Sequence, residues 1–304
     1  MDLKEEPRRA RSLEEMRQIQ SRLFRPEEIG GAMTRFQPRP SDVIITPFGK
    51  SGTTWLQQAF HTLRTRGDMD FDDISRVVPW IETAGALDID LNAAQRAEPR
   101  GFKSHLSYDM VPKGARYVVS LRDPKDVLVS MFRFMEGWFL EPGAVPIETF
   151  ARGMLQRGPD GGDYWGHLLS WWRVRDQENV LLYSYEQMSA DPAGSARRLA
   201  AFCDIPLDDE LLALTLERSS LDFMLRHKDR FDDFLMRQAS EARCNLPPGS
   251  DSAKVRKGEV GGHRAELPAD IGAAIDAIWR ERVTPETGFP DYAALDAALR
   301  ARAR

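Results

Sequence analysis

The residues best suited to chemistry concentrate between Asp42 and Trp55, DVIITPFGKSGTTW. Lys50, Ser51, Gly52, Thr53 and Thr54 offer an ammonium, three hydroxyls and a run of free backbone N–H groups. At a helix start such a turn holds an anion, because the unpaired N–H groups and the helix dipole both favour negative charge. Val43, Ile44 and Ile45 before it are β-branched and apolar, which predicts a short core strand ended by Pro47 and Gly49. A phosphate or phosphate-like group belongs in this turn. A nucleoside-triphosphate loop reads G-x-x-x-x-G-K-[ST], and Gly49-Lys50-Ser51 matches its second half. The position five before Gly49, however, is Ile44, inside the strand, so the glycine-rich arch is missing. Taken alone, the turn is also compatible with a simple capped helix start.

The elements that must position this turn follow from composition and periodicity. A chain of 304 residues, 42% hydrophobic and 29% charged, can form one large α/β domain or two modest ones. A net charge of −5 gives no global basic field, so nucleic acid is not an expected partner and any anion site is a local cluster. Cys203 and Cys244 have neither disulfide-framework nor metal-ligand spacing. No His/Cys/Asp cluster has ligand spacing either, so no metal is expected. The N-terminus carries charges of both signs without an apolar core, and no run approaches a membrane span, which together predict a cytoplasmic protein.

Residues 1 to about 12 read as frayed, and 13–29 as a helix with Met16, Ile19 and Leu23 on one face, ended by Gly30-Gly31. Further helices are expected at 53–66, 124–138, 147–156, 163–176 (amphipathic), 192–203, 208–218, 268–283 and 291–302. Strands are expected at 101–106, 115–121 and 179–185. Residues 68–92 and 229–252 show no clear period. Strands alternating with helices predict a three-layer α/β fold, a mostly parallel sheet flanked by helices. We divide the chain into an N-terminal helical extension, 1–30, and a single domain, 31–304.

Five separated segments resemble one family. Lys50-Ser51-Gly52-Thr53-Thr54-Trp55 resembles the 5′-phosphosulfate loop of the cytosolic-type sulfotransferases, which use 3′-phosphoadenosine 5′-phosphosulfate (PAPS) as sulfuryl donor. Arg122 to Ser130, RDPKDVLVS, resembles the 3′-phosphate motif of that family, and Val255 to Gly261, VRKGEVG, its C-terminal R-K-G-x-x-G motif. Lys103-Ser104-His105 is similar to the K-[TS]-H strand end that supplies its catalytic histidine. Tyr185-Glu186-Gln187-Met188 with Asp191-Pro192 is similar to its Y-E-D-M…D-P segment. The resemblance implies the P-loop-like sulfotransferase fold, PAPS as co-substrate and a small hydroxyl compound as acceptor.

The residues agree with that implication. A 3′-phosphate dianion needs several fixed donors, which Arg122, Ser130, Arg256, Lys257 and the Gly258 N–H can supply. Sulfuryl transfer to an alcohol needs a base for the hydroxyl proton and charge stabilisation where the donor's phosphate departs. We assign His105 as base, Lys50 to the bridging and leaving oxygens, and Lys103 to the sulfuryl oxygens. His61, His167, His227 and His263 have no comparable company and read as surface or packing residues. By resemblance Trp55 stacks on the adenine. Ser219-Ser220-Leu221 follows the T-S-F segment of the family but has Leu221 where an aromatic covers the other face of the base. Stacking there is then weaker, or Phe223 substitutes. Gly261-Gly262-His263-Arg264 departs from the common G-D-W-K. Trp80, Ile81 and Phe134, with Phe132 and Trp138, are candidates for an apolar acceptor lining or equally for plain core. The dimerisation motif of the family is not recognisable, leaving monomer or homodimer open. A P-loop nucleotide kinase and a catalytically inactive PAPS-binding or nucleotide-binding protein are the alternatives.

Overall fold

The computed structural model describes residues 6–156, 162–252 and 254–302. Four parallel strands form one sheet: β1 (Val43–Ile45), β2 (Gly101–Lys103), β3 (Arg116–Leu121) and β4 (Val180–Ser184), in the order β2-β1-β3-β4. Register is set by Ile44 opposite Phe102 and Tyr117, and by Val119 opposite Leu182. Strand side chains alternate between two cores, as the two-residue repeat of a sheet buried on both faces requires. Ile44, Phe102, Tyr117, Val119 and Leu182 enter one core, and Val43, Ile45, Val118, Leu181 and Tyr183 the other.

The helices are α1 (Leu13–Leu23), α2 (Pro26–Arg35), α3 (Thr53–Thr65), α4 (Ile74–Val77), α5 (Pro124–Trp138), α6 (Ile147–Leu155), α7 (Tyr164–Arg173) and α8 (Tyr185–Ala190). They continue with α9 (Pro192–Phe202), α10 (Asp209–Arg218), α11 (Leu221–Arg226), α12 (Phe234–Cys244), α13 (Ala269–Ile278), α14 (Thr284–Thr287) and α15 (Tyr292–Arg302). Leu56, Phe60 and Leu63 of α3, Leu199 of α9 and Leu211 of α10 cover one sheet face. The other face is covered by α7, α13 and α15 through residues such as Trp171, Ile275 and Leu295. The fold is therefore the expected three-layer α/β sandwich. None of the helices among the described residues is long and apolar enough to cross a membrane.

Four local expectations need correction. The first helical segment is split at Pro26, and Gly30-Gly31 lie inside α2. Proline at a first helical position starts a helix, which outweighs the weaker breaking tendency of glycine. Residues 6–12 are not loose: Ala10 is fully buried and exchanges backbone hydrogen bonds with Phe139 and Glu141 (2.8 Å each), while residues 1–5 lie outside the described part. Helix α7 is buried nearly all round, because its second face meets Trp279 and Phe289 of the C-terminal segment. The poorly periodic 229–252 segment contains α12, whose Met236 and Cys244 join a third core with Leu23, Trp138 and Phe150.

The amino ends of β1 and β2 are fixed by a buried ion pair. Arg100 forks onto Asp42, with Nε–Oδ1 at 3.0 Å and Nη2–Oδ2 at 2.6 Å. That leaves the carboxyl ends to carry chemistry, as is general for open parallel sheets.

Candidate active site

Each strand delivers a functional group from its carboxyl end. β1 runs into the Lys50 turn, β2 ends at Lys103 with His105 two residues on, β3 ends before Arg122, and β4 before Tyr185. All of these groups line one cavity of about 290 Å³.

The phosphate turn is built by backbone constraint. Gly52 sits at φ 95°, a conformation that glycine adopts without strain, and a Cβ there would lie 2.9 Å from the Tyr185 ring. Helix α3 starts directly after it. Gly52, Thr53, Thr54 and Trp55 face the cavity. Ser51 does not line it; its side chain is fully buried and its carbonyl accepts from the Ser120 hydroxyl. The buried hydroxyls of Ser51 and Thr53 and the Arg122 Nε have no partner among the described residues. Buried polar groups are seldom left so. Phosphate oxygens in the cavity would satisfy those of Thr53 and Arg122, which line it, so the residues present fit a phosphorylated donor.

Arg122 donates from Nη1 to the Lys50 carbonyl and from Nη2 to the Glu259 carbonyl, both at 2.9 Å, and its guanidinium lies 4.3 Å from the centre of the Tyr185 ring. Ser130, Arg256, Lys257 and Gly258 line the same cavity, so Arg122 and Arg256 share one site despite their separation in sequence. The C-terminal loop is latched by Asp126 of α5. Its carboxylate accepts from the Gly261 N–H (2.7 Å), the His263 N–H (3.0 Å) and the His263 Nδ1 (2.8 Å). His263, read from sequence as a surface or packing residue, lines the cavity; the second aspartate of RDPKD, Asp126, and the departure at Gly261-Gly262-His263 make one structure.

A second cavity of about 550 Å³ adjoins the first, sharing Trp55, Tyr185, Leu221, Met224 and Gly258. Ser220 lines this second space, where its hydroxyl caps α11 by accepting from the Phe223 N–H. Phe223 does not substitute for an aromatic at 221. It packs on His227, ring centroids 4.4 Å apart, and lines neither cavity.

At the other end stands His105. Its backbone N–H donates to Glu82 Oε1 at 2.6 Å, and Nδ1 lies 2.8 Å from the Pro47 carbonyl. A carbonyl only accepts, so Nδ1 carries the proton and Nε2 keeps its lone pair. Burial, followed by the neighbouring Lys103, pushes the imidazole down to about 3. Lys50 is pushed down to about 7, by burial first and then by Lys254; its Nζ stands 3.4 Å from the Lys254 carbonyl and 4.5 Å from the Phe134 ring centre. Lys103 is buried, lies 3.7 Å from the Trp80 ring centre, and pairs with Asp233 at 3.3 Å.

Trp80 stands edge-on to His105 at 5.3 Å, and Phe134 and Trp138 line the cavity beyond it. Ile81 does not: it is fully buried in a sheet-face core. Phe132 is also core, packed against Phe150. Sequence reasoning missed Gln20 of α1, Phe24 just after it, Met131, Met135, Lys254 and Asp233 as lining residues. Gln20 and Phe24 are four apart in sequence, a helical spacing that was the available signal, although Phe24 leaves the helix at its C-cap.

A parallel sheet whose strand ends gather a phosphate turn, a second arginine grip and a histidine between lysines defines an α/β group-transfer enzyme that handles a phosphorylated nucleotide. The family model described as the sulfotransferase domain matches residues 40–286, and the chain belongs to the family of PAPS-dependent sulfotransferases. It is 27% identical over 277 residues to sulfotransferase 2A1 of Macaca fascicularis, covering 88% of this chain and 93% of that one. To the 3-alpha-hydroxysteroid sulfotransferase of Cavia porcellus it is 26% identical over 276 residues, with 88% and 91% covered. Among solved structures, retinol dehydratase in complex with androsterone and the inactive cofactor PAP superposes with a TM-score of 0.69 at 18% identity, covering 92% of this chain and 96% of that one.

Proposed function

We propose that this protein moves the sulfuryl group of PAPS to the hydroxyl of a small apolar or aromatic acceptor, with His105 as general base. The observation that carries this reading is the fixed tautomer of His105: Nδ1–H held on Pro47, Nε2 unprotonated in a chamber shared with Lys50 and Lys103. His105 Nε2 takes the acceptor hydroxyl proton as the oxygen bonds to sulfur. The sulfur–oxygen bond to the 5′-phosphate breaks, and adenosine 3′,5′-bisphosphate leaves with the electron pair, its new charge met by Lys50. The low affinity of His105 for protons comes from burial first and from the neighbouring Lys103 second; the negative charges of the donor offset both and raise it toward the range useful for a base.

The donor rests with its 5′-phosphosulfate on Lys50 to Thr54, its 3′-phosphate between Arg122, Ser130 and the Arg256-Lys257-Gly258 loop, and its adenine between Trp55 and Leu221, near Tyr185 and Ser220. The acceptor lies against Phe24, Trp80, Phe134, Met135 and Trp138, a lining suited to a phenol, a steroid-like or a lipidic alcohol. The hydroxysteroid named for the guinea-pig relative and the androsterone bound by retinol dehydratase support that class. The test is a radiolabelled PAPS assay against phenols, hydroxysteroids and long-chain alcohols. Labelled ester with at least one class is expected; label released only as inorganic sulfate with every class would refute the acceptor assignment.

A further inference from the structure

Asp233 is an acidic side chain in a chamber otherwise built to receive anions. It is 2% exposed and sits immediately before α12 at φ 49°. Its Oδ1 accepts from Lys254 Nζ at 2.6 Å and from Lys103 Nζ at 3.3 Å. The charged or titratable groups that interact with it come from three strand-end or loop segments: Lys103 and His105 from the end of β2, Lys50 from the β1 turn, and Lys254 from the C-terminal loop. Beyond them, Arg122 acts on Lys50, Glu82 on Lys103 and Asp232 on Lys254.

Three lysines confined together repel one another, and burial lowers the hold of Lys50 and Lys103 on their protons. An uncharged lysine is useless for stabilising an anion. One buried carboxylate shared by two ammonium groups counters both tendencies and limits their rotamers to those that meet at its oxygen. The effect is visible on Lys103, which burial lowers to about 8 against the raising influence of Asp233. Lys254 lines the cavity and ends the segment just before Arg256 and Lys257, so it reaches the sulfuryl end while its neighbours reach the nucleotide.

We propose that Asp233 is a positioning residue that holds Lys103 and Lys254 together, both aimed at the sulfuryl oxygens of the donor, and that Lys254 is a further sulfuryl-binding cation. Charge on those oxygens changes during transfer, and fixed ammonium groups stabilise it without rearrangement. This rests on the reading of the donor given above.

The experiment compares dissociation constants for PAPS, which carries the sulfuryl group, and adenosine 3′,5′-bisphosphate, which lacks it, between about pH 6.5 and 8.5. The ratio of the two cancels effects on the shared phosphates, including those acting through Lys50. In Asp233→Asn the PAPS/bisphosphate ratio should climb with pH about tenfold more than in the unaltered chain, because Lys103, without the carboxylate that holds its proton, loses it earlier. In Lys254→Met the ratio should be raised about tenfold at every pH, with bisphosphate affinity little changed. Asp233→Asn curves parallel to those of the unaltered chain would overturn the positioning role. A normal ratio in Lys254→Met would overturn the proposal even if Asp233→Asn fails to fold. Failure of the unaltered chain to bind the bisphosphate would instead strike the donor reading itself, and this proposal with it.

Discussion

The Nδ1–H of His105 donates to the Pro47 carbonyl at 2.8 Å, tying the end of β2 to the turn that leaves β1. Because a main-chain carbonyl is the partner, no side-chain substitution in that turn removes it, and the imidazole orientation is a property of the sheet itself. The same register that pairs Ile45 with Lys103 sets the histidine beside the phosphate turn. Position and tautomer of the proposed base therefore have a single structural cause.

A pH profile follows from the charges of the free site. His105, at about 3, is neutral throughout the ordinary range, whereas Lys50 at about 7 and Lys103 at about 8 lose charge as pH rises through those values. Since kcat/KM for the donor reports ionisations of the free enzyme and the free donor, its value per donor dianion, corrected for the 3′-phosphate ionisation at about 6, should stay flat from about pH 7 down to about pH 5 and fall above about pH 7. Bisphosphate binding at about pH 8 should take up protons, seen by calorimetry in buffers of different ionisation enthalpy, because a bound phosphate restores the Lys50 charge. An acid limb centred near 6.5 would show instead an unshifted histidine in control.

Arg122→Ala should act on the nucleotide before the chemistry. It removes a buried guanidinium that bridges the phosphate turn and the C-terminal loop through the Lys50 and Glu259 carbonyls. Charge-assisted hydrogen bonds contribute about 1.5–3 kcal/mol each, so bisphosphate affinity should fall about 10–150-fold by titration. Arg122→Lys should recover little, since an ammonium cannot fork between two acceptors and a phosphate.

Asp42→Ala should separate stability from function. The Asp42–Arg100 pair is buried at the opposite ends of the strands from the site, and leaving Arg100 unpaired should cost about 3–5 kcal/mol in denaturant unfolding. Bisphosphate affinity of the folded fraction should stay within about twofold. A large loss of affinity at unchanged stability would contradict the division of the sheet into an anchoring end and a chemical end.

What could be read from the sequence was what is local. The β1 strand, its glycine turn and α3 are consecutive, and Pro124 after the capping Asp123 marks the start of α5 as plainly as any signal in the chain. Lys50 was singled out by its turn, and Lys103, His105 and Arg122 by motifs that follow strands; the parallel sheet brings all four to one cavity. Contacts made across long separations were hidden. Asp126 gave no sign that it receives His263, nor Asp233 that it receives Lys103 from another strand end, because nothing in the spacing of either residue points to its partner. Ile81 erred in the opposite direction: next to Trp80 it seemed part of one lining, but successive residues of that turn point to different places, and Ile81 fills the core. Helix α1 was set apart as an extension, yet Gln20 and Phe24 reach the cavity through tertiary packing that no local pattern encodes.

The role of His105 is tested most directly by the rate of sulfuryl transfer from PAPS in His105→Ala, measured beside the dissociation constant for adenosine 3′,5′-bisphosphate. Loss of the base should lower kcat about 10²–10⁴-fold while the dissociation constant stays within about threefold. Transfer at near the unaltered rate, or a loss of nucleotide binding equal to the loss of rate, would contradict the assignment of His105 as the residue that takes the proton.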